Sequence, residues 1–96
     1  MHDPMEEKIL ALHPQGKKGV NISRAKYDAM KTTILALLGR KQLTHDELTR
    51  EVTRALKGKF DGSIPWYMES TKLDLEARRV IERATGGNHD VYRLKK

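Results

Sequence analysis

Ser63-Ile64-Pro65-Trp66-Tyr67-Met68-Glu69-Ser70-Thr71-Lys72-Leu73-Asp74-Leu75-Glu76-Ala77-Arg78-Arg79-Val80-Ile81-Glu82-Arg83 is the stretch whose reading decides the fold. It opens as a helix and closes as a strand, with almost nothing between. Ser63 is placed to accept from the unpaired amides of a first helical turn, and Pro65 fits there because those N–H groups lack helical partners. Ile64, Trp66, Met68, Thr71, Leu73, Leu75 and Ala77 offer apolar surface on more than one side, as a helix wedged among others does. The pattern predicts a helix over 63–78, and the β-branched pair Val80-Ile81 then reads as a strand. Trp66, the single tryptophan, is expected to anchor the core between this helix and the first one.

Working outward, Val80–Ala84 and Val91–Leu94 read as a β-hairpin around the Thr85–Asp90 tip, which is rich in residues that tolerate positive φ. Upstream, Thr44 and Glu47 form a capping box for a second helix over 45–57, with a strand residue at Leu43. That helix buries Leu48, Val52, Ala55 and Leu56, while Arg50, Arg54 and Lys57 form a basic ridge on its other face. Glu47 and Glu51 stand three residues before Arg50 and Arg54, close enough to mute the ridge. Ser23 caps a first helix over 24–38, where Tyr27, Met30, Ile34, Leu37 and Leu38 make one buried stripe and Gly39 ends the run.

Residues 1–22 read as an N-terminal arm, for packing or dimerisation, ahead of a domain at 23–96. Met5, Ile9 and Leu12 suit one helix face, but the run is too short to choose helix over strand. His13-Pro14-Gln15-Gly16-Lys17-Lys18-Gly19 is a basic turn-rich loop. Its glycine spacing does not match a phosphate-binding P-loop, so it reads as a surface loop with two solvated lysines.

The chain has 96 residues and no cysteine, enough for one domain and free of disulfides or thiolate metal sites. No apolar run approaches the roughly 20 residues that span a bilayer, and the acidic N-terminus is unlike a signal peptide. A cytoplasmic protein is expected. Nineteen Lys and Arg against thirteen Asp and Glu leave +6, which suits a polyanionic partner.

Helix, short link, helix, turn, helix and hairpin, in that order, is the layout of a winged helix-turn-helix, a mainly α fold with a small β-hairpin. Leu75-Glu76 and Val80-Ile81 resemble the third-helix-to-wing passage of many bacterial winged-helix proteins, although Arg79 stands where glycine is common. Gly16-Lys17-Lys18-Gly19-Val20-Asn21 and Phe60-Asp61-Gly62-Ser63-Ile64-Pro65-Trp66-Tyr67 resemble a family of small bacterial proteins of unknown function. The N-terminal winged-helix module of Mrr-type restriction enzymes is also similar. The resemblance brings no catalytic residues. It implies that Tyr67, Ser70, Thr71 and Lys72 meet bases of duplex DNA. Backbone contacts would come from Arg50, Arg54, Lys57, Asn88, Arg93, Lys95 and Lys96.

Two functions follow as expectations. One is a DNA-binding regulator, possible as a homodimer on two half-sites. The other is a protein-interaction or dimerisation module without DNA binding. The second gains from the charge neutrality of 63–83, where Lys72, Arg78, Arg79 and Arg83 balance Glu69, Asp74, Glu76 and Glu82. Histidines 2, 13, 45 and 89 lack metal-ligand spacing, and Asp74 and Glu76 diverge on a helix. No enzyme, cofactor, metal or small-molecule ligand is expected.

Overall fold

A computed structural model describes residues 7–87 and 89–95. Strands β1 (Lys8–Ala11) and β2 (Val20–Ser23) precede α1 (Arg24–Leu38), β3 (Leu43–Thr44), α2 (His45–Leu56), α3 (Ile64–Ala77), β4 (Ile81–Gly86) and β5 (His89–Leu94). The strands form two antiparallel sheets, a β1–β2 ribbon and a three-stranded sheet ordered β3-β5-β4.

This arrangement corrects the expected mainly α fold with a small hairpin and its winged helix-turn-helix class. The molecule is α+β, because β-structure sits at both ends of the chain. Ile9 pairs with Ile22 and Ala11 with Val20, so the N-terminal segment is a ribbon and not a helix. Leu43 and Thr44 pair with Tyr92 and Val91, which turns the hairpin into a sheet. Register continues to Gly86 opposite His89, so the strands consume most of the expected Thr85–Asp90 tip.

The helix starts follow the local chemistry. Lys26 N–H donates to Ser23 Oγ (3.3 Å) and Trp66 N–H to Ser63 Oγ (3.3 Å). The capping box closes both ways, Glu47 N–H to Thr44 Oγ1 at 3.1 Å and Thr44 N–H to Glu47 Oε1 at 2.9 Å. Accepting from the Thr44 amide is the main cause of the lowered pKa of Glu47.

The end of α3 shows the same economy. Arg79 N–H bonds Glu76 O and Val80 N–H bonds Leu75 O, the two hydrogen bonds of a Schellman exit. That exit needs a left-handed residue, and Arg79 occupies it at φ 63°. Val80 and Leu75 both join the core, as the motif's apolar contact does. The exit is therefore the usual one, made with an arginine under strain. Arg79→Gly is expected to raise the unfolding free energy by roughly 0.5–1 kcal/mol, read as a higher urea midpoint at unchanged m-value.

One core joins Met30, Ile34 and Leu38 of α1, Leu48 and Val52 of α2, and Met68 and Leu75 of α3 to Leu43, Ile81 and Tyr92 of the sheet. Each such large side chain contributes about 1.5–3 kcal/mol by leaving water. Ala11, Ile22 and Tyr27 form a smaller cluster under the ribbon, and Tyr67 packs against both. Gly19 lets the ribbon close, since a Cβ there would lie 2.2 Å from Ala11 O.

Trp66 does not anchor the core; it is 47 % exposed. Ile64, Met68, Thr71 and Leu75, at steps of three and four, form the stripe that faces the interior. Trp66 falls on the opposite stripe with Ser70, Leu73 and Ala77, which turns away from this core; Trp66 is exposed and the other three are half-buried.

Candidate interaction surface

Helix α3 is held on two sides by charged groups that the core cannot leave bare. Asp74 is fully buried. Its carboxylate accepts from Leu12 N–H of the ribbon (2.8 Å), from Arg78 Nε (2.9 and 3.0 Å) and from the Tyr27 hydroxyl of α1. Arg78 also reaches Leu10 O through Nη2 at 3.2 Å. Together these groups cap the open edge of β1. Burial, and then the bond to Asp74, push the Tyr27 phenol above the ordinary tyrosine range. The bond to Asp74 raises the pKa of Arg78.

Lys72 lies two residues away and points the other way. It is 3 % exposed, and its Nζ lies 3.0 Å from Tyr92 Oη, 3.0 Å from His45 Nδ1 and 3.1 Å from Glu69 Oε1. An ammonium has three donors and no acceptor, so these partners satisfy it completely. The cation also sits 4.2 Å from the Tyr92 ring centroid. Lys72 thus ties α3 to the start of α2 and to β5.

These placements remove two of the four residues expected to read bases. Thr71 and Lys72 are buried, Thr71 in the core-facing stripe and Lys72 in its polar cage, so neither reaches a groove. Tyr67 is half-buried, with ring centroids of Phe60 at 5.3 Å and Trp66 at 4.9 Å. Ser70 is half-buried beneath the ribbon loop.

The candidate backbone contacts divide. Arg93 is spent on Glu82 (2.6 Å), and Arg83 beside it on Glu76 (3.3 Å) and Asp90 (3.6 Å). Lys95 is exposed beyond β5. Arg50 and Arg54 of α2 and Lys57 at its C-cap are exposed and make no ion pair among the described residues. Asn88 and Lys96 lie outside the described residues.

The outward stripe of α3 completes a different surface. Ser70 and Leu73 form one wall of a shallow groove, and Leu12, His13, Lys18 and Val20 of the ribbon and its loop form much of the other. Leu12 and Val20 are 37 % and 42 % exposed, and Trp66 sits one turn before Ser70. Large apolar groups left in water at one place are what docking surfaces are made from. The sequence carried half of this signal, in the spacing of 66, 70 and 73. The other half depends on the ribbon crossing α3, which only the fold shows.

No helix of the described residues is long and apolar enough to cross a membrane. No curated protein and no solved structure matched the chain. A family model described as a family of unknown function, DUF6958, matches residues 8–91 and so takes in every element from β1 to the start of β5. The chain belongs to that family of unknown function.

Proposed function

We propose that this chain is a protein-interaction module that docks a partner on the face shared by α3 and the β1–β2 ribbon. The observation that carries the reading is Trp66, nearly half exposed and in line with the groove of Leu12, Val20, Ser70 and Leu73. Tryptophan is the side chain most often found at the energetic centre of an interface, because it removes a large area from water while ordering few torsions. The groove is shallow and already flanked by polar groups, so a partner can cover it without stranding buried charge.

The test is affinity capture with the wild-type chain and with Trp66→Ala/Leu73→Asp as baits, both after nuclease treatment. The expected result is a stoichiometric protein partner on the wild type, lost on the double variant. Equal recovery on both baits, or none on either, ends the reading. Both substitutions fall on partly or largely exposed positions, and unchanged thermal unfolding keeps the comparison valid.

A second reading has one observation in its favour. The ridge of Arg50, Arg54 and Lys57, exposed and without an ion pair among the described residues, fits a phosphate backbone, so duplex DNA would lie along α2 and not on α3. Arg50→Ala/Arg54→Ala is expected to weaken every duplex sequence alike and to lower the salt slope by about 2, measured by fluorescence anisotropy. Absence of duplex binding by the wild type at low salt dismisses it.

A further inference from the structure

We infer that the partner on this face is an acidic peptide segment with apolar anchors, and not a second copy of the chain; the inference rests on the docking reading above and adds the chemistry of the occupant. Charge complementarity argues for it. The carboxylates of α3 are paired within the chain: Glu69 with Lys72, Asp74 with Arg78 and Glu76 with Arg83. The cations beside the groove are not. Lys18 lines it, and Lys17 precedes it in the same exposed loop. Lys26 stands 5.2 Å from the ring of Tyr67, next to Trp66. Among the described residues none of these three lysines makes an ion pair.

The face therefore presents an apolar centre beside three lysines that make no ion pair among the described residues. Two copies related by a two-fold axis would bring these lysines together, with the α3 carboxylates already paired within the chain, in a protein already carrying +6. Asp or Glu beside Leu, Phe or Trp meets both parts of the surface at once. The anchors fill the groove between Leu12 and Leu73, and the carboxylates reach the loop lysines.

The experiment selects random dodecamer peptides on phage against the immobilised full chain, with the Leu73→Asp chain as the subtraction step. One synthetic winner is then titrated against the wild type, Leu73→Asp and Lys17→Glu/Lys18→Glu/Lys26→Glu. Winners enriched in acidic residues next to large apolar ones are expected. Affinity should be lost with Leu73→Asp, and weakened about tenfold or more by the charge reversals or by raised salt. Apolar winners that ignore the charge reversals overturn the acidic assignment while leaving the docking face intact. Winners indifferent to Leu73→Asp, or no enrichment over the subtraction step, overturn both. A dimer in sedimentation that Leu73→Asp dissociates gives the face to a second copy and also overturns the inference.

Discussion

Asp74→Ala is expected to lower the unfolding free energy by about 2–4 kcal/mol, because donors left unsatisfied around a buried carboxylate cost about 1–3 kcal/mol each. The loss has three parts, each with its own structural origin. Leu12 N–H is left without an acceptor, the Tyr27 hydroxyl is stranded in the ribbon cluster, and Arg78 loses its anchor at the edge of β1. Asp74→Asn keeps the volume and one carbonyl oxygen but presents an amide donor where donors already converge, so it is expected to recover only part of the loss. Hydrogen exchange separates local from global effects. The Leu12 amide is expected to lose protection in the alanine variant before the amides of α1 do. A cost below 1 kcal/mol would mean that the ribbon is held by the apolar cluster of Ala11, Ile22 and Tyr27 alone.

Tyr27 supplies a pH signature of the same junction. Its phenol titrates higher in the folded chain than the ordinary value near 10, so its contribution is complete below about pH 10. Above that the unfolded chain releases the proton first, and stability falls by up to about 1.4 kcal/mol per pH unit. Tyr27→Phe is expected to flatten this alkaline limb of urea midpoints while lowering stability at neutral pH, where the bond to Asp74 is intact.

Much of this architecture was legible wherever the signal is local. Ser23, Thr44 and Ser63 mark helix starts because a short side-chain oxygen serves amides two or three residues ahead, and all three do so. Val80-Ile81 marks the turn from helix to strand, although β4 begins at Ile81 and Val80 is spent on the Schellman contact. The ribbon was not legible. Its strands have four residues each, and Val20-Asn21-Ile22 shows one alternation, which no period analysis can separate from coil.

The charged residues misled for a related reason. A lysine or aspartate in a helix is placed in solvent by default. What buries Lys72 and Asp74 is the arrival of groups 20 and 62 positions away, Tyr92 and the amide of Leu12. Trp66 errs in the opposite direction. Size argued for the interior, but its place on the helix wheel turns it outward while Met30, Met68 and Leu75 fill the interior. Thus Thr71 and Lys72, two of the four residues expected to read bases, are buried in structural roles. The residue first expected to be structural became the centre of the candidate site.

Lys72→Ala is expected to cost about 3–4 kcal/mol, from the cavity left by its methylenes and from a buried Tyr92 hydroxyl that loses its donor. Lys72→Met separates the two terms, since it fills the space without donating; a cost of about 1–2 kcal/mol is expected for it. Urea unfolding gives both values, and a cycle with Tyr92→Phe isolates the hydrogen bond itself. Equal costs for Ala and Met would assign the whole effect to the cage and none to packing. Costs below 1 kcal/mol for both would show that α2 and β5 hold their places without it. The position of the substitution explains why the expectation is large. Residues 72 and 74 are two apart, so their side chains leave α3 in nearly opposite directions. One keys the helix to the β3-β5-β4 sheet, the other to the ribbon, and Met68 and Leu75 face the core between them. With three directions occupied, the rotation of α3 is fixed, and the stripe of Trp66, Ser70 and Leu73 is the one left for the proposed partner. Weakening either polar key is therefore expected to blur the proposed docking face before the core unfolds, seen as lost affinity for a selected peptide at temperatures where the far-ultraviolet signal is unchanged.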